Sequence, residues 1–390
     1  MTEENAQTTR ALFSPLTLRG VTFPNRIGVS PMCMYSATDG HATDFHLVHL
    51  GRFALGGAGL IIMEATAIKP EGRISHHDAG IWSDDHIAGL ERITRFIKMH
   101  GSVPGIQLAH AGRRASVTEP WRGGTPLSLG EGEQGAEAAW ETDGPSTLPA
   151  GPDWPRPHEM SVGEIHRSID DWADAAKRAI AAGFQVIELH GAHGYLLHSF
   201  VSPLSNNRTD SYGGSAEDRM RYPVEVAKAV REAIPDDVVL SYRASSVDGI
   251  DGGLTIEDTT ELAKHLAGVG VDIVDTSSGG ITADRSVDTR VRRGFGFHAE
   301  FSGTVKEVVG IPTATVGMIV DPEQADALVA TGTCDMVLVG RGMLDDPNWA
   351  MHAHDRLGSQ NPHADVRFDT YLPAWRRSIS KLLDNGESPV

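Results

Sequence analysis

Residues 161–189 read SVGEIHRSIDDWADAAKRAIAAGFQVIEL, a predicted helix followed by a predicted strand. Ser161 with Glu164 three residues later forms a capping-box pattern, which indicates that a helix begins here and covers residues 161–182. The run at 185–189 is mostly apolar, as expected of a parallel strand that is buried on both faces. This stretch therefore predicts one helix and one strand of an alternating α/β fold.

The same alternation extends over most of the chain. Eight runs read as buried parallel strands, at residues 26–30, 60–65, 104–108, 185–189, 238–242, 272–276, 312–316 and 335–339. Helical patterns lie between them at 84–99, 161–182, 216–233, 255–267, 299–308 and 321–330. Eight strand–helix units predict a (β/α)8 TIM barrel, an α/β fold that often exceeds 250 residues as one domain. We therefore expect residues 1–390 to form a single barrel domain.

Two segments fall outside this alternation. Residues 113–159 are rich in Gly, Pro, Trp and Glu and lie between the third strand and its helix. A loop of this length in a compact domain usually has a function, so we expect an inserted lid or cap. Residues 347–390 follow the last strand–helix unit and are expected to form a C-terminal extension that packs near the barrel mouth or on a neighbouring subunit.

The overall charge excludes several classes of protein. The 390 residues include 34 basic and 52 acidic side chains, which gives a formal net charge of −18. No basic patch suited to nucleic acid is visible, and an acidic surface disfavours anionic membranes. No window approaches the roughly 18 apolar residues of a membrane span, and the polar N-terminus lacks a signal core. We expect a cytoplasmic protein that acts on small molecules and binds neither nucleic acid nor membrane.

The chain contains two cysteines, Cys33 and Cys334. Two are too few for a disulfide scaffold, a cysteine-rich zinc site or a four-cysteine iron–sulfur cluster. Cys334 lies at the start of the eighth strand and is expected to be a buried apolar side chain.

Active sites of TIM barrels lie at the carboxyl ends of the strands, so the residues that end or follow each strand are the site candidates. After strands 7 and 8 come Gly317, Gly340 and Arg341. Glycine lets backbone N–H groups approach a phosphate and arginine supplies positive charge, although glycine after a strand is also a common turn device. The two loops together favour a phosphate site, which barrels often place here.

Strand 4 ends in a dense polar cluster that contains His190, His193 and Tyr195. The imidazoles can donate hydrogen bonds to a carbonyl or nitro oxygen. Tyr195 keeps its proton near neutral pH, since the reference pKa of a phenol is about 10, and it can act as a proton donor. The alternative is a metal site with His190 and His193 as ligands, which needs a third ligand that the neighbouring sequence does not offer.

Other catalytic arrangements find little support. A G-x-S-x-G nucleophile motif is absent, and no lysine ends a strand. Gly294 and Gly296 stand in a basic loop as half of a nucleotide-binding motif, but they do not follow a strand. A phosphate cradle with hydrogen-bond donors and a tyrosine acid suits a cofactor that supplies its own chemistry.

Several motifs resemble one known family. Residues 200–223, FVSPLSNNRTDSYGGSAEDRMRYP, closely resemble a signature of the old yellow enzyme family of FMN-dependent ene-reductases. Residues 12–26, LFSPLTLRGVTFPNR, and 31–36, PMCMYS, with 44–50, DFHLVHL, are similar to further family motifs. The resemblance covers about residues 12–346. Cys33 with Tyr35 resembles the thermophilic-like subclass, which includes the xenobiotic reductases.

The resemblance implies a tightly bound, non-covalent FMN that NADPH or NADH reduces and an activated alkene reoxidises. It assigns flavin contacts to Pro31, Met32, Cys33, Ala65, Gln107, Arg243, Ser277, Gly317, Gly340 and Arg341. Of these, Cys33 would lie near flavin N5, Ala65 and Gln107 at the pyrimidine side, and Arg243 near N1 and O2.

On the substrate side, the resemblance implies that His190 and His193 bind the electron-withdrawing oxygen, with Tyr35 nearby. Tyr195 would protonate the α-carbon after hydride transfer to the β-carbon. Relatives often have Gln where His298 aligns, so a flavin contact by His298 stays open. Trp375 resembles a residue that relatives place near a neighbouring active site in a homodimer or homotetramer, although it can also anchor the tail on its own barrel.

Three alternatives to an ene-reductase stay open at this stage. One is a related flavin enzyme without an iron–sulfur cluster that acts on an acyl-CoA or aromatic metabolite. The second is a metal-dependent TIM-barrel hydrolase that uses His190 and His193, and the third is a non-catalytic protein that binds flavin or a phosphate ester.

Overall fold

The computed structural model describes residues 10–128 and 138–358, together with the single positions Ser378, Lys381 and Asn385. Eight parallel strands form a closed barrel in chain order: Ile27–Val29, Leu60–Ala67, Val103–Ala109, Val186–Gly191, Val239–Ser245, Ile273–Ser277, Thr313–Thr315 and Met336–Val339. The eighth strand pairs with the first, which closes the barrel. The TIM-barrel prediction is confirmed, and each strand lies where the sequence pattern predicts it.

Helices surround the barrel. The α-helices are Asp44–Leu55, Ile87–Met99, Val162–Ala181, Leu196–Val201, Ala216–Ala233, Ile256–Gly268, Ala299–Val309, Pro322–Ala330, Arg341–Asp345 and Trp349–Leu357. Short 3-10 helices occur at Ala11–Phe13, Pro70–Gly72, Asp84–His86, Gly112–Arg114 and Pro120–Arg122. The capping box of Ser161 and Glu164 is formed as the sequence predicts. In the described part of the chain, no helix is long and apolar enough to cross a membrane.

Asp44–Leu55 is a helix that the sequence pattern does not reveal. Its buried side includes His46, His49 and Gly51 beside Leu50 and Phe53. Because polar and small residues interrupt the apolar stripe, the 3.6-residue period that marks an amphipathic helix is weak here.

A β-hairpin closes the amino-terminal end of the barrel. Its strands, Leu16–Leu18 and Val21–Phe23, pair in antiparallel fashion. Val21 and Phe23 pack in one apolar cluster with barrel residues that point inward at this end: Leu60, Ile62, Val103, Val186, Val239, Ile273, Ala314, Met336 and Leu338. In the described part of the chain, the barrel is therefore closed at its amino-terminal end and open at the carboxyl end of the strands.

The insertion at 113–159 is tied to the barrel in its described parts. Buried Arg113 donates hydrogen bonds to the carbonyls of Leu148, Pro149 and Ile281, and the last of these belongs to the loop after the sixth barrel strand. A short parallel pair joins Asp143–Gly144 to His158–Glu159. The first helix of the C-terminal extension, Trp349–Leu357, packs on the barrel, whereas Trp375 lies outside the described residues.

Candidate active site

The predicted site residues meet at the open end of the barrel. A cavity of about 530 Å³ is lined by His193 and Tyr195, and a second cavity of about 380 Å³ is lined by Arg243, Gly317 and Gly340. Four residues line both cavities: Ser277, Phe297, His298 and Arg341. The two cavities are therefore adjacent parts of one site. The barrel register adds that Ala65 stands opposite Gln107 on neighbouring strands.

The polar cluster after the fourth strand forms one wall of the larger cavity, which His193 and Tyr195 line directly. The ring of His190 stands edge-on to those of Tyr195 and His193, with centroid distances of 5.0 and 5.2 Å. His193 Nε2 lies 2.7 Å from Ser277 Oγ. Burial, with a smaller effect of the Arg243 charge, holds the pKa of both histidines well below its usual value. Both imidazoles are therefore neutral at physiological pH.

Tyr195 is a protonated phenol in this wall. Burial raises the pKa of its hydroxyl well above the ordinary value, and neighbouring Cys33 adds to this effect. The wall thus combines two neutral imidazoles with a proton-bearing hydroxyl.

The loop that carries these side chains is held in an unusual backbone conformation. His193 and Gly194 both have positive φ angles, 61° and 75°. The His193 N–H donates to Ser245 Oγ at 3.0 Å, and the Gly194 N–H donates to His198 Nδ1 at 2.8 Å. His198 is itself buried with Nε2 3.1 Å from an Asp248 carboxylate oxygen. These contacts fix a tight turn that a non-glycine residue such as His193 rarely adopts.

A layer of buried charged and polar side chains lies inside the barrel beneath the smaller cavity. Arg243 Nε is 3.0 Å from Asp275 Oδ2. Glu188 accepts hydrogen bonds from Gln107 Nε2 and Ser241 Oγ, each at 2.9 Å. Burial raises the pKa of the Glu188 and Asp275 carboxyl groups, and the charge of Arg243 opposes this rise. Predicted site residues Gln107 and Arg243 therefore belong to one connected layer.

Cys33 and Tyr35 lie in the loop after the first barrel strand, which pairs with the eighth strand. They pack with Tyr195, Ile74 and Ala111 in a small apolar cluster. The insertion contributes four further residues to it: Ala115, Val117, Trp140 and Trp154. Burial raises the pKa of the Cys33 thiol well above its usual value, with Asp78 and Glu64 adding to the effect. The thiol is therefore protonated. Glu64 Oε1 also accepts the Met34 N–H at 3.1 Å, which holds this loop.

The loops after strands seven and eight, in which the sequence predicts a phosphate cradle, line the smaller cavity with Gly317, Gly340 and Arg341. Gly317 has φ of 128°, and a Cβ atom there would lie 3.0 Å from the Phe297 ring and 3.2 Å from His298 Nδ1. A Cβ on Gly340 would lie 3.5 Å from Met32 Sδ, which places Met32 and the preceding Pro31 beside this loop. Arg341 follows directly and lines both cavities.

His298 uses both ring nitrogens within the protein. Nδ1 donates to the Val316 carbonyl at 3.0 Å, so Nε2 accepts from Ser278 Oγ at 2.7 Å. Burial lowers the pKa of this imidazole to about 4. The side chain is neutral and offers a ligand its ring surface rather than a hydrogen bond.

Comparison with known proteins identifies the family. A family model described as the NADH:flavin oxidoreductase / NADH oxidase family matches residues 11–360. The chain belongs to this family. It is 42% identical over 349 residues to an NADPH dehydrogenase from Geobacillus thermodenitrificans, an alignment covering 89% of this chain and 94% of that protein. The relationship predicted from the sequence motifs is confirmed, and the protein is an FMN-dependent NAD(P)H oxidoreductase.

Solved structures of family members share the fold. Morphinone reductase superposes with a TM-score of 0.72 at 26% identity, over 91% of each chain. A 2-naphthoyl-CoA reductase in complex with 2-naphthoyl-CoA superposes with a TM-score of 0.77 at 25% identity. That match covers 90% of this chain and 52% of the reductase, so the present chain spans about half of the larger enzyme.

The residues of the site fit the FMN that family membership implies. His190 Nδ1 is a buried polar atom without a hydrogen-bond partner among the described residues, and a ligand can supply one. The glycine cradle has room for a phosphate and Arg341 has the charge for it. Gly317, Gly340 and Arg341 would hold the phosphate, and Arg243 would face the isoalloxazine ring.

The alternative of a metal-dependent hydrolase requires a set of metal ligands that the described residues do not form. Across residues 10–128 and 138–358, no three His, Cys, Asp or Glu side chains converge on a point that could hold a metal ion. Family membership decides in favour of the flavin enzyme.

Several residues of the site were not among the sequence candidates. Arg114, Arg293 and Phe297 line the larger cavity, and Asp275 contacts Arg243. The sequence could have indicated Asp275, since an acidic residue within a predicted buried strand is unusual. Whether the side chains of Arg114 and Arg293 point into the cavity depends on how two long loops fold over the barrel. The hydrophobic periodicity of the sequence does not predict loop conformation.

Proposed function

We propose that this enzyme reduces carbon–carbon double bonds conjugated to a carbonyl or nitro group, with NADPH or NADH as the reductant. The observation that carries the proposal is the wall formed by Tyr195, His190 and His193. Tyr195 and His193 line a cavity that adjoins the flavin cradle, and the His190 ring contacts both of their rings. These are the groups that reduction of a polarised double bond requires beside a hydride source.

When bound in the cradle of Gly317, Gly340 and Arg341, FMN would supply the hydride chemistry that links the nicotinamide to the β-carbon of the alkene. The imidazoles of His190 and His193 hydrogen-bond the carbonyl or nitro oxygen, where negative charge develops as hydride arrives. Donors aimed at that charge stabilise the transition state more than the bound substrate. Ser277 restricts the orientation of the His193 ring through its contact with Nε2.

Tyr195 supplies the proton that balances the reaction. Its hydroxyl proton moves to the α-carbon, and the phenolate regains a proton from solvent before the next turnover. Burial keeps the proton on the hydroxyl until a proton acceptor is formed beside it, because a charged tyrosinate is unfavourable in the apolar cluster.

The insertion at 113–159 is proposed to act as a lid. Val117, Trp140 and Trp154 pack around Cys33, Tyr35 and Tyr195 and would shield the reacting carbons from water. Cys33 and Tyr35 are proposed to contact the flavin edge and the substrate. Trp375 in a homodimer or homotetramer and a cytoplasmic location remain predictions from the sequence.

An anaerobic visible spectrum tests the proposal. The purified holoenzyme is titrated with NADPH until the flavin bands bleach, and then with 2-cyclohexenone. The proposal predicts that the bands return and that cyclohexanone is formed. Adding cyclohexanone in place of the enone is the matched control, since it has the carbonyl but no alkene, and the bands should stay bleached.

Two results would contradict this function. If the bands bleach but never return with enones or nitroalkenes, the protein is an NAD(P)H oxidoreductase but the proposed ene-reductase activity is wrong. Bands that do not respond to NADPH or NADH would favour a flavin-binding protein without turnover.

A further inference from the structure

A basic loop stands at the mouth of the larger cavity in an otherwise acidic chain. Residues 285–293, between the sixth barrel strand and the helix Ala299–Val309, contain four arginines and one aspartate. All four arginine side chains are exposed. With a net charge of −18 for the whole chain, such a local excess of positive charge at a cavity mouth points to an anionic ligand.

The arginines of this loop face different spaces. Arg293 lines the cavity that holds His193 and Tyr195, together with Thr289 and Val291. Arg292, its neighbour, lines a separate depression on the other side of the loop. In that depression Arg290 contacts Asp251 at 2.6 Å. Arg293 is therefore the loop arginine that faces the site.

Arg293 forms no ion pair with a carboxylate of the described chain, whereas the other cations of the cavity are committed. Arg114 donates to the carbonyls of Gly280 and His193. Arg341 belongs to the cradle assigned above to the flavin phosphate. A guanidinium with free donors is suited to bind a phosphate through two parallel hydrogen bonds.

The nicotinamide cofactor that reduces the flavin carries phosphate groups, and they are expected to lie near the mouth of this cavity. For hydride transfer the nicotinamide ring must reach the flavin beside Tyr195, so the rest of the dinucleotide leads outward through the mouth. NADPH differs from NADH by a phosphate on the 2′-oxygen of the adenosine ribose. We propose that Arg293 binds this 2′-phosphate and makes the enzyme prefer NADPH to NADH. The inference rests on the NAD(P)H-dependent reduction of the flavin and does not depend on the nature of the alkene.

The test compares Arg293→Gln with Arg292→Gln, which changes the charge of the same loop by the same amount on the other side. Anaerobic stopped-flow measures flavin reduction over a range of NADPH and NADH concentrations. We expect Arg293→Gln to weaken NADPH binding roughly ten- to a hundred-fold, as loss of a charged hydrogen bond does. NADH binding should change less than about twofold, and Arg292→Gln should resemble the parent in both.

A binding measurement without turnover completes the test. Adenosine 2′,5′-bisphosphate should bind the parent holoenzyme in calorimetry more tightly than adenosine 5′-monophosphate. Arg293→Gln should abolish the difference.

Each other outcome overturns the assignment. Equal losses for NADPH and NADH would place Arg293 on the pyrophosphate, and loss of FMN would place it on the flavin phosphate. Equal effects of the two variants would indicate general attraction rather than contact. Unchanged NADPH binding with weaker binding of crotonyl-CoA would assign the arginine to a phosphate of the substrate. Failure of enone reduction alone would affect only the proposed alkene chemistry, because the readout here is flavin reduction.

Discussion

Arg243 Nε lies 3.0 Å from Asp275 Oδ2, and both side chains are almost completely buried inside the barrel. The pairing follows from strand register, since the two residues are direct neighbours on the fifth and sixth barrel strands. Burial raises the pKa of the Asp275 carboxyl to about 8, although the charge of Arg243 opposes the rise. The net charge beneath the flavin site therefore changes with pH.

Replacing Asp275 by Asn should reveal this change in the flavin reduction potential. Below pH 7 Asp275 is protonated and resembles Asn, so parent and variant should have similar potentials. Above pH 8 the parent gains a negative charge that makes the flavin harder to reduce, whereas the variant does not. The potential of the variant should become increasingly more positive than that of the parent, as measured by redox titration at pH 6 and 9.

Asp272→Asn is the control for the previous variant. Asp272 lies just before the same strand at the sealed end of the barrel, where it pairs with Arg19. A difference in potential that is the same at both pH values, or one that Asp272→Asn reproduces, would contradict a local effect of Asp275.

Tyr195→Phe should separate the two half-reactions. Flavin reduction by NADPH should stay within about twofold of the parent, whereas reduction of the enone should slow by roughly 10²- to 10⁴-fold, the usual contribution of a general acid. Because the pKa of Tyr195 is raised, enone reduction by the parent should show no loss through tyrosine ionisation between pH 7 and 10. Tyr35→Phe removes a second hydroxyl from the same apolar cluster, and a larger loss there would move the proton donor to Tyr35.

The sequence predicts the barrel well because one rule governs each repeat. Every strand is a short apolar run, and every strand end points to the same mouth, so residues far apart in sequence converge. His193, Tyr195 and Ser277 come together in this way, as do Gly317 and Arg341.

The features that the sequence did not predict depend on three-dimensional contacts. Arg243 meets Asp275 only through the register between two strands. Arg293 faces the cavity because its loop folds back over the mouth. The sequence pattern does not predict the helix Asp44–Leu55, because buried histidines interrupt the apolar residues of its inner face.

Gly317→Ala tests the phosphate cradle. Its φ of 128° is unfavourable for alanine, and the new Cβ would press on Phe297 and His298, which line both cavities. We expect FMN affinity, measured by flavin fluorescence, to fall by at least tenfold. Gly332→Ala is a suitable control, since Gly332 also has a positive φ but no neighbouring atoms within 4 Å of the place where a Cβ would lie. Similar loss of FMN in both variants would indicate general destabilisation instead.

His298→Gln should make the protein less sensitive to acid. The pKa of His298 is about 4 in the folded protein, below its ordinary value of 6.5. Between these values the unfolded chain binds a proton that the folded chain does not, so stability is lost as pH falls from 6.5 to 4. At pH 4.5 this histidine should cost about 2–3 kcal/mol relative to neutral pH.

Glutamine can donate to Val316 and accept from Ser278 as His298 does, but it does not titrate. Urea unfolding at pH 4.5 and 7.5 should therefore show a smaller difference in the free energy of unfolding for His298→Gln than for the parent. His265→Gln, at an exposed histidine, serves as the control and should retain the difference of the parent. An equal pH dependence in the parent and His298→Gln would mean that folding does not lower the pKa of His298, and would contradict the effect of burial on this ring.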